Sequence, residues 1–207
     1  MQGLGKKVLS VLVFVAAFVA VKYGFDAYQR YKTQANVEAS MAKLKADGVK
    51  NNPNLPVSEA MGREAVAKTS EQLSAEGDEK TRRARAASSY FGFYLVNTRT
   101  RPEFCRQQNV DIAPFVSAFE REHKAESAQA RAALAAVNTD ENQLFSLVEK
   151  QLKQVIVQDM NDIAASNKVS VREACQMIAS NGETVAAEMH ISKVQPAVYR
   201  TLTTGRP

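Results

Sequence analysis

The reactive chemistry open to this chain is concentrated in two histidines, His123 and His190, and two cysteines, Cys105 and Cys175. Glu120-Arg-Glu-His123 has the Glu-x-x-His spacing that puts a carboxylate and an imidazole on one helix face, as in carboxylate-bridged di-metal bundles. Such bundles need the motif twice, with further glutamates. His190 is preceded by Glu188 two places back rather than by a glutamate three back, so no metal site is expected. Ser40-Met-Ala-Lys43 matches the Ser-x-x-Lys nucleophile motif, but no Lys-Thr-Gly partner follows in a credible strand. The chain holds no GxSxG, P-loop, post-strand GxGxxG or HExxH pattern. No catalytic residue and no cofactor is therefore assigned, and a non-enzymatic role is expected. An enzyme would need a polar cleft joining one of the histidines to carboxylates distant in sequence.

The cysteines are an even pair without CxxC or CxxCH spacing, which argues against metal or haem chemistry and for a disulfide in an exported chain. Closing that loop would stabilise the fold by roughly 4 kcal/mol on a chain-entropy view.

Charge is segregated. Residues 26–207 carry 24 basic and 22 acidic side chains, near neutrality, so nucleic acid is not an expected partner. Within that body, Lys80, Arg82, Arg83, Arg85, Arg99, Arg101 and Arg106 face only Glu103 across one stretch, and they flank the aromatic run Tyr90–Tyr94. Arginine and tyrosine are favoured at interfaces. Arg82, Arg83, Arg85, Arg99, Arg101, Tyr90 and Tyr94 are accordingly the expected docking surface for a protein partner with an acidic face. The plain alternative is arginines solvated at helix ends, with the aromatics in the core.

The elements that must carry these residues begin with the uncharged run Val8–Val21, bracketed by Lys6, Lys7 and Lys22. Fourteen helical residues rise only about 21 Å. Extended to Leu4–Phe25, the segment spans the roughly 30 Å hydrocarbon core, with the lysines reaching toward headgroups and Tyr23 and Phe25 at the far interface. Residues 1–25 are thus read as a single-pass membrane anchor. The competing reading is a secretory signal, cleaved to release the body, but the small-residue cleavage site is poor: Ala20 has Phe18 near it. Flanking lysines nearly tie for orientation. The short N-terminal tail and the oxidisable cysteines place the N-terminus in the cytoplasm, in the inner membrane of a bacterial-type cell, and the body in the periplasm.

The body itself reads as all-α, an antiparallel bundle of four to six helices: alanine is abundant, glycine is scarce and tryptophan is absent. Residues 26–46 continue as a polar helical stalk, 47–57 (with Gly48–Pro56) form a linker, and 58–207 form the globular domain. Ser58 is the expected N-cap of a helix to about Ser74, and Glu76–Asp78 is a break. Asp78–Thr98 is expected as a helix, although Tyr90–Val96 also has strand propensity. Asp111 caps a helix to Val137, with Pro114 in its first turn. Thr139 caps the clearest amphipathic helix, in which Leu144, Val148, Leu152, Val155, Ile156 and Ile163 recur at helical spacing. Ser170-Val-Arg-Glu173 is a capping box opening a helix that stops at Asn181–Gly182, and Pro196 interrupts the tail. Short links make consecutive helices antiparallel, which puts Cys105 and Cys175 at the same end and makes them the expected bridge. Two roles follow as expectations. One is a membrane-anchored, non-enzymatic component of an envelope complex; the other is a small-molecule sensor or carrier with a pocket between helices near Tyr90–Tyr94.

Overall fold

A computed structural model describes residues 27–207, and the described residues form helices and connecting turns without a strand. The anchor read at residues 4–25 lies outside the described residues. Among those described, no helix is long and apolar enough to cross a membrane. Eleven α-helical segments replace the four to six expected, because several predicted helices are divided and the tail contributes three short ones.

The chain begins with α1 (Ala27–Asn51), turns through Asn52–Pro56 and enters α2 (Val57–Ala75). The break expected near Gly48–Pro56 is present, but α1 runs through Gly48 to Asn51 before it. The segment read as a stalk also packs on the body: Val37 and Leu44 are buried in the core. Gly48 lets the two helices approach, since a Cβ there would stand 2.8 Å from the Ala60 carbonyl oxygen. Asp47 and Lys68 (2.5 Å) and Asn51 and Glu64 (2.9 Å) join them at the surface.

Helix α3 (Glu79–Leu95) is the centre of the molecule. Asp78 caps it by accepting from the Thr81 N–H, and every residue from Ala86 to Leu95 is buried. Helices α2, α6, α7 and α11 pack around it, so the aromatic run needs no strand partner: a helix buried on all sides satisfies its own backbone. A π-helical turn, Val96–Thr100, joins α3 to α4 (Arg101–Gln107), with the Arg101 N–H donating to the Val96 carbonyl.

The helix expected over 111–137 is divided into α5 (Ala113–Glu122) and α6 (Lys124–Ala135). Asp111 accepts from Ala113 N–H at the entrance, as expected. The bend falls at His123, whose ring is held inward from both sides (below). Helix α7 (Glu141–Asn167) carries the predicted apolar stripe, but Asp140 rather than Thr139 caps it, in a reciprocal box with Gln143. The predicted Ser170–Glu173 box opens α8 (Val171–Ser180). Then α9 (Gly182–Glu188), α10 (Ile191–Val194) and α11 (Pro196–Thr204) close the body, the last ending at Gly205 with φ +76°. Cys105 of α4 and Cys175 of α8 stand at disulfide distance, with Cα atoms 5.6 Å apart, as the antiparallel argument expects.

Candidate functional site

The expected docking residues are brought together only in part, and the fold uses them internally. Arg82 donates to the carbonyls of Gly205 (2.9 Å) and Glu76 (2.6 Å), closing the tail onto α3. Arg83 donates to the Glu79 carboxylate (2.9 Å) and the Leu202 carbonyl (3.2 Å), at the end of α11, where carbonyls lack helical partners. Arg85 pairs with Glu76 (3.2 Å). Arg99 donates to Asn142 (2.9 Å), and its guanidinium lies over the Phe145 ring. These four clamp elements of their own chain.

Arg101 is not at the surface at all. It is 3 % exposed and meets the fully buried Asp159 of α7 at 2.8 Å. Its Nε donates to Asn97 Oδ1 (3.0 Å), and Asn97 in turn donates to the Phe93 carbonyl. The π-helical turn sets Asn97 and Arg101 on one side, facing α7. Burial pushes the Asp159 carboxyl up to about 6, against the pull of the Arg101 guanidinium.

Tyr90 and Tyr94 stack at 5.6 Å inside the core, with Phe91, Phe93 and Phe119 around them. The Tyr90 hydroxyl donates to the His123 carbonyl or exchanges a hydrogen bond with Ser127 (2.6 Å). Desolvation raises both phenol pKa values. The space where a ligand pocket was expected is occupied by these rings.

His123 holds the bend between α5 and α6. Its Nδ1 bonds the Phe119 carbonyl (2.9 Å), which makes that nitrogen the protonated one, and its Nε2 accepts from Ile191 N–H (3.1 Å). Burial drives its pKa down to about 4. Both nitrogens are spent, so the Glu120-x-x-His123 spacing does not present a metal ligand. Among the described residues no cluster of three or more candidate ligands occurs.

His190 stacks on His123 and brings a distant carboxylate to it: Nε2 stands 3.7 Å from Glu126. Its Nδ1 meets Ser192 Oγ at 2.8 Å. The order carboxylate, imidazole, hydroxyl is that of nucleophilic catalysis. Here, however, the same Nδ1 accepts the Ser192 backbone N–H (3.3 Å), which makes His190 the N-cap of α10. Capping accounts for the contact.

A groove of about 400 Å³ opens between α1, α2 and α7. Glu38, Met41 and Lys45 form its α1 wall, and Gln151, Gln154 and Gln158 form its α7 wall. Ser58 and Met61 of α2 close one end. No family model matches this chain, and neither a curated protein nor a solved structure matches it. The groove must therefore be judged by its own chemistry.

That chemistry centres on Gln151. The side chain is 2 % exposed, and both its amide oxygen and its amide nitrogen lack a hydrogen-bond partner among the described residues. An amide buried in this way costs on the order of 1–3 kcal/mol, so it needs an explanation. Around it the wall is held in place: Gln158 donates to Asp162 (2.9 Å), and Asp162 also accepts from Ser58. Lys150 pairs with Glu38 across the rim (2.7 Å). A second groove, about 220 Å³ and mainly apolar, lies on the other flank of α1 between Val37, Leu44, Ala65 and Lys68, and Met41 borders both.

Gln151 was absent from the sequence reading, although a signal existed. Gln151 and Asp159 are the polar residues set within the inward stripe of α7, where every other position is apolar or small.

Proposed function

We propose that this chain is a membrane-tethered, non-enzymatic binding protein whose helical body meets another component of the cell envelope through the groove between α1, α2 and α7. The observation that carries the reading is Gln151: unmet hydrogen-bonding capacity at the floor of a groove, where a partner can complete it. The arginine and aromatic segment first expected to dock is otherwise engaged, and this supports moving the contact surface to the groove. Composition supports the tether at residues 4–25, with the body on the far side of the inner membrane. The carrier reading draws support from the same groove, whose volume suits a small ligand.

The test is site-specific photo-crosslinking in intact cells, from Lys45 and Gln154 at the groove and from Arg85 on the opposite charge cluster. A discrete crosslinked partner from the groove positions alone is expected. Crosslinks from Arg85 with none from the groove would sink this reading. A topology reporter fused at the C-terminus should be active only outside the cytoplasm, and N-terminal sequencing should find residues 1–25 retained.

A further inference from the structure

The groove has a geometry that narrows its ligand. On α7, Gln151, Gln154 and Gln158 recur at three- and four-residue steps, one row of neutral carboxamides about 10 Å long. A carboxamide offers a donor and an acceptor side by side, which is the pattern that a main-chain amide presents in return. About three residues of extended backbone fit such a row. Met41, Met61 and Val155 line the same groove and supply apolar surface, the two methionines adapting readily to different side chains. Formal charge is confined to the rim, where Lys150 and Glu38 largely answer each other.

We propose that this groove binds an extended segment of a partner protein, the Gln151 carboxamide pairing with the segment's main chain while an apolar side chain enters between Met41, Met61 and Val155. The inference rests on the groove being the contact surface. It goes further in naming an unfolded peptide stretch, not a folded surface or a small molecule, as the occupant. A purine base also offers an adjacent donor and acceptor, but it would answer one carboxamide and leave the rest of the row unused. Recognition of this kind is sequence-tolerant: the backbone supplies the hydrogen bonds, and one apolar residue sets the register.

The probe is an array of unstructured fluorescent dodecapeptides, rich in Ser and Gly, each with a single central Leu, Met or Phe. Binding is read by anisotropy with the full-length protein in lipid nanodiscs. Members of the array are expected to bind, and Gln151→Leu, which removes the buried amide but keeps the bulk, should weaken them roughly tenfold or more. A second measurement does not depend on the variant folding. Replacing the amide N–H at the central residue of the probe with an ester oxygen should cost the wild-type protein a comparable factor. Arg85→Glu, outside the groove, should leave binding unchanged.

Four outcomes overturn the proposal: no peptide binds, the ester probe binds within about twofold of the amide probe, adenine displaces the peptide, or N-acetyl-leucine amide competes as well as a dodecapeptide. The last two would mark a small-molecule site. If groove crosslinks in cells persist while every peptide fails, the groove remains the contact surface and only the peptide assignment falls. If the groove crosslinks are missing as well, both fall.

Discussion

Asp162 and Ser58, 104 positions apart, form the cap of α2: one carboxylate oxygen of Asp162 accepts both the Ser58 N–H (2.8 Å) and the Ser58 hydroxyl (2.6 Å). Pro56 precedes the helix and provides no side-chain cap. The free N–H groups of the first turn are answered from α7 instead. Asp162→Ala should therefore cost about 1–2 kcal/mol in urea unfolding. Ser58→Ala should cost less, because its N–H still reaches the carboxylate. Equal losses from both variants would show that the hydroxyl, and not the backbone, is the partner that matters.

Arg101 and Asp159 make a second buried link to α7, and it depends on pH. With its pKa raised from 3.8 to about 6, Asp159 contributes stability that is complete below about pH 4 and is lost as pH rises to about 6. Arg101→Met removes the cation that limits this loss, so the carboxyl should titrate higher still. The variant is expected to cost about 3–5 kcal/mol at neutral pH and distinctly less near pH 4. Denaturant unfolding at the two pH values checks this, and a cost independent of pH would contradict the buried-carboxylate account.

His123 works in the opposite sense. Its pKa falls from 6.5 to about 4 on burial, so its contribution is full above pH 6.5 and is lost as pH drops toward 4. The total is roughly 3 kcal/mol. His123→Phe also leaves the Ile191 N–H unanswered and should be less stable at neutral pH. Its stability should nevertheless change less between pH 6.5 and 4 than that of the wild type. Parallel pH curves for the two proteins would exclude His123 as the titrating group.

Gly48 is a packing test for α1. A Cβ at this position meets Ala60 carbonyl oxygen at 2.8 Å and Met61 nitrogen at 3.0 Å, both backbone atoms that cannot rotate away. Gly48→Ala raises helix propensity but should still destabilise by about 1–3 kcal/mol, by forcing α1 from α2. Hydrogen exchange should show faster opening of residues 37–48. A stabilised variant would mean that α1 is free to shift.

Cys105 and Cys175 should resist alkylation in the native protein until a reductant is added. Bridging residues 70 apart restricts the unfolded chain, so the double alanine variant should lose about 4 kcal/mol. Thiols that label freely without reduction would rule the bridge out.

Much of the helical pattern was legible in the sequence because its causes are local. The Ser170–Glu173 box, the break at Glu76–Asp78, the Pro196 interruption and the apolar stripe of α7 each depend on residues within a few positions of one another. Asp140 was missed as the cap of α7, although Gln143 three places later signalled it. The bend at His123 was not legible, since it is made by Ile191 N–H reaching across 68 positions. The helix count erred for the same reason.

By its own residues the sequence determined an all-helical body, the pairing of its two cysteines and an apolar N-terminal run of membrane character. Periodicity, caps and composition suffice for such features, because they act along the chain. Only the tertiary structure decided what the long polar side chains do. Arg82 and Arg83 cap the tail, Arg101 is buried against Asp159, and Gln151 is left without a partner at the floor of a groove. An arginine at a helix position is equally compatible with solvent, a partner or its own core. Which of these wins depends on the desolvation and hydrogen bonds that packing imposes, and those are set by residues far away in the chain.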